Sequence, residues 1–224
     1  EDYYTLFEIY RQCGKDREEF LRRATEIDCM YVPKYHEQGK QVNRRIIKDI
    51  NKCYITDKTV VPYAEIVHDR VVLEIMRGCI RGCRFCQAGM IYRPFRQRSP
   101  ELLVETAKKL IKATGYDEIS LTSLSTSDFE RLDELANSLL TYCVPQHIDI
   151  SLPSLRVDNF SKELLEKMQS VRKSGLTFAP EAGTQRLRDV INKNVTEEEI
   201  MNTCRIAFEG GASAVKLYFM IGLP

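Results

Sequence analysis

Through the first part of the chain apolar residues recur at three- and four-residue spacing, across residues 3–10 and again at Phe20, Leu21, Ala24 and Ile27. That spacing predicts helix to about residue 27. Residues 31–70 lose the pattern: Pro33, Gly39 and Pro62 interrupt it and Asn43-Arg44-Arg45 adds a basic run, so the stretch reads as a connecting segment. From Val71 a repeating rhythm begins. Val71-Val72-Leu73-Glu74-Ile75-Met76 predicts a first strand. Ser99-Pro100 supplies an N-cap and a first-turn proline for a helix whose face is Leu102, Leu103, Ala107, Leu110 and Ile111. Residues 119–122 predict a second strand, and Ser127 with Glu130 predicts a capping box for a helix carrying Leu132, Leu135, Ala136 and Leu139. A third strand is expected at 147–152, then a helix capped by Ser161 with Leu164, Leu165 and Met168 inward. A fourth is expected at 176–179, before a helix bearing Leu187, Val190 and Ile191. Thr196 with Glu199 forms another capping box, that helix ends at Gly210-Gly211, and residues 214–221 predict a fifth, almost wholly apolar strand.

Strands alternating with helices predict an α/β fold, a parallel sheet with helical cover. A continuous apolar run such as residues 215–221 suits a strand buried on both faces. Chemistry in such folds belongs at the carboxyl ends of the strands. The expected organisation is a helical and irregular N-terminal extension over 1–70 and a core over 71–224. The chain opens without Met and stops at Ile221-Gly222-Leu223-Pro224, directly after an apolar run, and so reads as a piece of a longer protein.

Composition narrows the function classes. Hydrophobic residues make up 43% of the 224 and charged residues 29%, ordinary values for a globular protein. The formal net charge of +1 gives no chain-wide field for nucleic acid or membrane, so any such argument must be local. No run approaches the roughly 20 apolar residues of a membrane span, and the acidic, aromatic start carries no secretion signal. The eight cysteines could indicate disulfides, but three crowd into one short loop while Cys13, Cys29, Cys53, Cys143 and Cys204 are scattered. That clustering points to a metal site in a reducing compartment, with the cytoplasm as the expected location, and to the scattered five as small hydrophobes.

The loop is Cys79-Ile80-Arg81-Gly82-Cys83-Arg84-Phe85-Cys86, directly after the first predicted strand. Gly78 and Gly82 permit the tight wrapping that three converging thiolates need. An iron–sulfur cube takes four cysteines, so three leave one iron open, as at a catalytic metal. A zinc staple is the alternative, but it would want a second Cys-x-x-Cys knuckle, and His68 and His147 stand alone.

At these residues the chain resembles the radical S-adenosylmethionine (SAM) superfamily, whose hallmark is Cys-x-x-x-Cys-x-x-Cys with an aromatic before the last cysteine. The resemblance implies a partial TIM-type (βα)6 barrel, here truncated after the fifth strand, and a [4Fe–4S] cluster on Cys79, Cys83 and Cys86. It implies that SAM chelates the open iron and is reductively cleaved to a 5′-deoxyadenosyl radical. It also implies SAM contacts near Phe85; at Ser123 and Ser125, where the family usually has glycines and a glutamate; at Glu181, with Arg186 or Arg188 for the methionyl carboxylate; and at Met220 and Gly222 beside the adenine. The alternatives are helix-capping hydroxyls at the serines and solvated helix charges at the arginines. The longer string from Arg77 to Gly89, with Tyr92-Arg93-Pro94, is similar to bacterial radical SAM proteins that carry a cobalamin-binding domain. Cobalamin would then bind only through an upstream domain outside this chain. The family implies a flavodoxin- or ferredoxin-like electron donor, and methyl or methylthio transfer or another modification of RNA or protein. The rival class is a non-catalytic iron–sulfur or zinc module. An electron-transfer protein would recruit a fourth thiolate, Cys143 or Cys204.

Between Ile75 and Pro100 lie Arg77, Arg81, Arg84, Arg93, Arg96 and Arg98 without a single Asp or Glu. Two readings stand: recognition of an anionic substrate such as RNA, or compensation of thiolate charge and pairing with Glu74 and Glu101.

Overall fold

The computed structural model describes residues 2–37, 39–153, 155–157 and 176–224. They form two compact units, Glu1–Lys48 and Asp49–Pro224. In the first, the predicted helical stretch is two helices, α1 (Asp2–Cys13) and α2 (Arg17–Ala24), separated where Gly14 turns left-handed at φ 58°. Asp16 caps α2 by accepting from the Glu19 N–H at 3.0 Å, and the Tyr10 and Phe20 rings meet edge to face at 5.5 Å.

The second unit is built on a parallel sheet. Strand β1 (Val71–Glu74) pairs with β4 (Glu118–Thr122), and β4 with β5 (Asp149–Ser151), all parallel. A second parallel pair joins β6 (Leu176–Glu181) to β7 (Val215–Phe219). The first predicted strand divides at Ile75: Met76–Arg77 becomes β2, which pairs antiparallel with β3 (Arg96–Gln97). Everything from residue 78 to 95, the cysteine loop included, is therefore an excursion whose neck is closed by a short antiparallel ladder.

Helices α3 (Ala88–Ile91), α4 (Pro100–Thr114), α5 (Leu132–Cys143), α6 (Gln185–Val190) and α7 (Glu197–Glu209) complete the described elements. Leu103, Ala107 and Leu110 of α4 and Leu135, Ala136 and Leu139 of α5 pack on Val71, Leu73, Ile119, Leu121 and Ile150, and one cluster continues through Leu176, Phe178, Val195 and Ala207. Ser99 caps α4 with Pro100 in its first turn, and Thr196 with Glu199 forms the expected capping box of α7. The box expected at Ser127 and Glu130 is absent. Ser127 accepts instead from the Arg156 N–H at 2.8 Å, and α5 begins at Leu132 without a side-chain cap.

Strand β7 also departs from its reading as a strand buried on both faces. Val215 and Leu217 pack against the core, while Lys216, Tyr218 and Phe219 face outward. With β6 as its one described neighbour, the period of two decides the burial, and its apolar run does not. The helix expected from Ser161 lies outside the described residues.

Candidate functional site

Three loops at carboxyl ends of strands come together in the second unit. The first carries the cysteines. Gly78 sits at φ 90°, where a Cβ would lie 2.7 Å from the Tyr92 carbonyl and 2.9 Å from that of Pro94, so only glycine lets the chain enter the loop this way. Cys86 N–H donates to the Cys83 carbonyl at 3.1 Å, and the Arg81 N–H donates to Cys79 Sγ at 3.4 Å. All three thiols are partly exposed. Burial pushes the Cys79 thiol upward against the Arg81 N–H, and the Asp128, Cys83 and Cys86 charges push the same way, so the three sulfurs share one electrostatic neighbourhood. Among the described residues, however, no three His, Cys, Asp or Glu side chains are arranged around a common point that would hold a metal ion.

The second loop follows β4. The Asp128 side chain is 3% exposed and takes two bonds from the Arg81 guanidinium, from Nε at 2.9 Å and from Nη2, together with one from Ser125 Oγ at 2.7 Å. Burial alone would raise the Asp128 pKa; the Arg81 and Ser125 hydrogen bonds outweigh it and hold the carboxyl below its usual range. Ser123 Oγ is 2.8 Å from Thr126 Oγ1, which donates to the Pro153 carbonyl at 2.6 Å. The hydroxyls at Ser123 and Ser125 thus knit this loop together rather than cap α5.

The third loop follows β6. Glu181 adopts φ 69°, a left-handed conformation rare for its type, next to an irregularity in the β6–β7 register. Its carboxylate is 3.3 Å from Lys193 Nζ, and both side chains are largely buried. The Lys193 ammonium also lies 5.9 Å from the centroid of the Phe85 ring. Arg188 is 1% exposed and donates to Val195 O at 2.8 Å, Ala182 O at 3.0 Å, Gly183 O at 3.2 Å and Gln185 Oε1 at 3.0 Å. Its guanidinium is enclosed by the loop it supports, whereas Arg186 is exposed. Met220 N–H donates to the Glu181 carbonyl at 2.8 Å, bringing the end of β7 beside Glu181, and Gly222 is left-handed at φ 82°.

The arginines of the cysteine region are committed within the protein. Arg77 forks onto Glu74 at 2.8 and 2.7 Å, Arg98 donates to the Glu74 carbonyl at 3.0 Å and to that of Ile50, Arg81 holds Asp128, and Arg84 and Arg96 donate to backbone carbonyls. Glu74 is the expected acidic partner; Glu101 pairs instead with Arg131. Asp128, Asn192 and Lys193 are the residues that sequence reasoning gave no role. The string Asn192-Lys193-Asn194 was the available signal, since Asn is the residue besides Gly that readily turns left-handed, as both asparagines do here at φ 53° and 52°.

An α/β fold whose strand-end loops gather around a Cys-x-x-x-Cys-x-x-Cys loop defines a class. The chain belongs to the radical SAM superfamily, whose family model matches residues 73–224. It is thus part of a family of enzymes, and membership brings a [4Fe–4S] cluster and SAM as cofactors. The chain is 39% identical over 153 residues to the uncharacterized protein MJ0966 of Methanocaldococcus jannaschii, covering 68% of this chain and 33% of that protein. It is 31% identical over 99 residues to the threonylcarbamoyladenosine tRNA methylthiotransferase MtaB of Bacillus subtilis, covering 44% of this chain and 21% of that one. Its fold is similar to that of the cobalamin-dependent S-adenosylmethionine radical enzyme OxsB, with a TM-score of 0.59 at 16% identity, over 84% of this chain and 29% of that one. The chain thus spans a third or less of each of these proteins. No helix among the described residues is long and apolar enough to cross a membrane.

Proposed function

We propose that residues 71–224 form the greater part of a partial (βα)6 barrel, five of its units, that cleaves SAM reductively to modify RNA or protein by methyl transfer, methylthio transfer or a related reaction. The observation that carries this reading is the convergence of the cysteine loop with the loops after β4 and β6, through Arg81–Asp128 and through Lys193 between Glu181 and Phe85. The donor set fits the cofactor: three thiols on one short, partly exposed loop, one already accepting a backbone N–H. Rotation about χ1 gives each of these thiols a choice of staggered rotamers. When bound, a [4Fe–4S] cluster with one open iron supplies the electron that breaks a carbon–sulfur bond of SAM.

In this reading Cys79, Cys83 and Cys86 hold the cluster and Phe85 walls it. Glu181 receives the ribose hydroxyls, and Met220 and Gly222 present backbone to the adenine. Arg188 shapes the Glu181 loop rather than meeting the methionyl carboxylate, which leaves the exposed Arg186 for that contact. Ser123 and Ser125 hold their loop beneath SAM. The electron comes from a flavodoxin- or ferredoxin-like donor, residues 1–70 are an N-terminal extension and linker to the core, and cobalamin would bind only through a domain outside this chain. RNA is the favoured substrate because the B. subtilis relative is by name a tRNA methylthiotransferase. The arginines near the cysteines lend that choice little, since so many are engaged internally.

The electron-transfer alternative named Cys143 or Cys204 as its fourth ligand, and burial speaks against Cys143. That thiol, on the last residue of α5, is fully buried in the core, and burial pushes it up to about 11. Anaerobic loading with iron and sulfide tests the proposal: about four irons per chain in the wild type, and a sharp loss in Cys79→Ala, Cys83→Ala and Cys86→Ala. Undiminished iron in those variants would sink it.

A further inference from the structure

The cysteine loop is fastened to the turn that ends α6, more than a hundred residues further along the chain. Asn192 Nδ2 donates to the Gly82 carbonyl at 2.8 Å, and the Arg84 N–H donates to the Ile191 carbonyl at 2.9 Å. The Arg84 guanidinium closes the same seam, donating to the Val190 carbonyl and, at 3.3 Å, to that of Asp189. These carbonyls belong to the last turn and C-cap of α6, where a cation is favourably placed. Gly82 and Arg84 flank Cys83, so the bonds grip the backbone on both sides of that one cysteine.

The turn is shaped for this task. Asn192 and Asn194 are both left-handed, which costs a residue with a Cβ about 1–3 kcal/mol. The strain is held from behind: Lys193 N–H donates to the Arg188 carbonyl at 2.9 Å, Arg156 Nη2 donates to the Lys193 carbonyl at 3.1 Å, and buried Arg188 grips Val195. Gly82 answers in shape, since a Cβ there would lie 3.2 Å from Asn192 Nδ2.

We propose that Asn192 is a positioning residue for Cys83: its amide fixes the Gly82 peptide and thereby the direction in which the Cys83 thiol leaves the loop. The inference rests on the reading of Cys83 as a cluster ligand for its purpose, but its geometry exists in the metal-free protein and is tested there. Lys193, on the same turn, carries the arrangement one residue further. With Glu181 on one side and the Phe85 ring on the other, it ties the aromatic of the cysteine loop to the end of β6.

The test is the rate at which each cysteine of the reduced, metal-free protein reacts with iodoacetamide, read by mass spectrometry, with buried Cys143 reporting on the fold. Asn192→Gly keeps the left-handed backbone and removes the amide. Cys83 should then react differently from wild type by about fivefold, the scale of one lost hydrogen bond, while Cys143 stays protected. Gly82→Ala should shift Cys83 in the same way by pushing Asn192 aside, and in the double variant it should add almost nothing. Strictly additive effects, or Cys83 rates unchanged in both single variants, overturn the proposal. If Asn192→Gly exposes Cys143 as well, Gly82→Ala alone decides, by the same criterion. Because no cluster or SAM enters the assay, a negative result here leaves the reading of SAM cleavage standing, and failure of that reading leaves this result interpretable.

Discussion

Arg81, two residues beyond the first cysteine, grips Asp128 with both arms of its guanidinium and so locks the cysteine loop to the loop after β4. Asp128 is almost wholly buried and Arg81 about a quarter exposed. The guanidinium and Ser125 outweigh the desolvation of the carboxylate and hold its pKa below the usual range.

Asp128→Asn should cost about 2 kcal/mol at neutral pH, less than the breaking of a fully buried pair because Arg81 retains some water. The folded-state pKa of Asp128 lies below its unfolded value, so its contribution is present above the unfolded value near 4 and disappears as pH falls through the folded one. Thermal melts of wild type and variant should keep their gap from about pH 6 down to about pH 4 and converge as the pH is lowered further. A gap independent of pH would show that ionisation of Asp128 is not what the fold uses.

Gly78→Ala should be among the most damaging changes in the loop. The new Cβ would meet two carbonyl oxygens of the returning chain in a backbone conformation unfavourable to alanine, at a cost of at least about 2 kcal/mol. Urea titration should show the lowered midpoint, and the same protein should bind less iron. A variant as stable as wild type would mean that the neck between β2 and β3 has another way to close.

Arg188→Met distinguishes a supporting role from a ligand-binding one. Its removal takes the guanidinium donor from the Ala182, Gly183 and Val195 carbonyls and leaves Val195 only the longer bond from Gln185, which should destabilise the protein by about 3 kcal/mol. Arg186→Met, at an exposed position, should leave stability unchanged and weaken SAM binding in calorimetry. The reverse pattern would exchange the two roles.

How much of this could be seen in the amino-acid sequence follows the range of the interactions involved. The Thr196–Glu199 box was legible because both partners lie within one helical turn. The similar spacing of Ser127 and Glu130 misled because Ser127 is claimed by Arg156, a partner from beyond β5. The cysteine loop was legible from its spacing, and the neck that closes it was not, since β2 and β3 are two residues each and depend on their pairing. Local charge counting overstated the cationic character of residues 75–100 for the same reason: Arg81 and Arg98 find their partners in Asp128 and in the Ile50 carbonyl, which lie far away in sequence.

Cys143→Ala should leave iron binding untouched and cost only about 1–2 kcal/mol, the scale of a small cavity in the core. Iron loss in this variant equal to that in Cys83→Ala would instead mark a four-thiolate, electron-transfer cluster.

The central claim is that these loops cleave SAM. The most direct measurement takes the protein in its full length, loads it anaerobically with iron and sulfide, reduces it with dithionite in the presence of SAM, and seeks 5′-deoxyadenosine by mass spectrometry. The account predicts its formation in the wild type and its loss in Cys83→Ala. A fully loaded and reduced wild-type protein that releases none, with RNA substrates supplied, would contradict it.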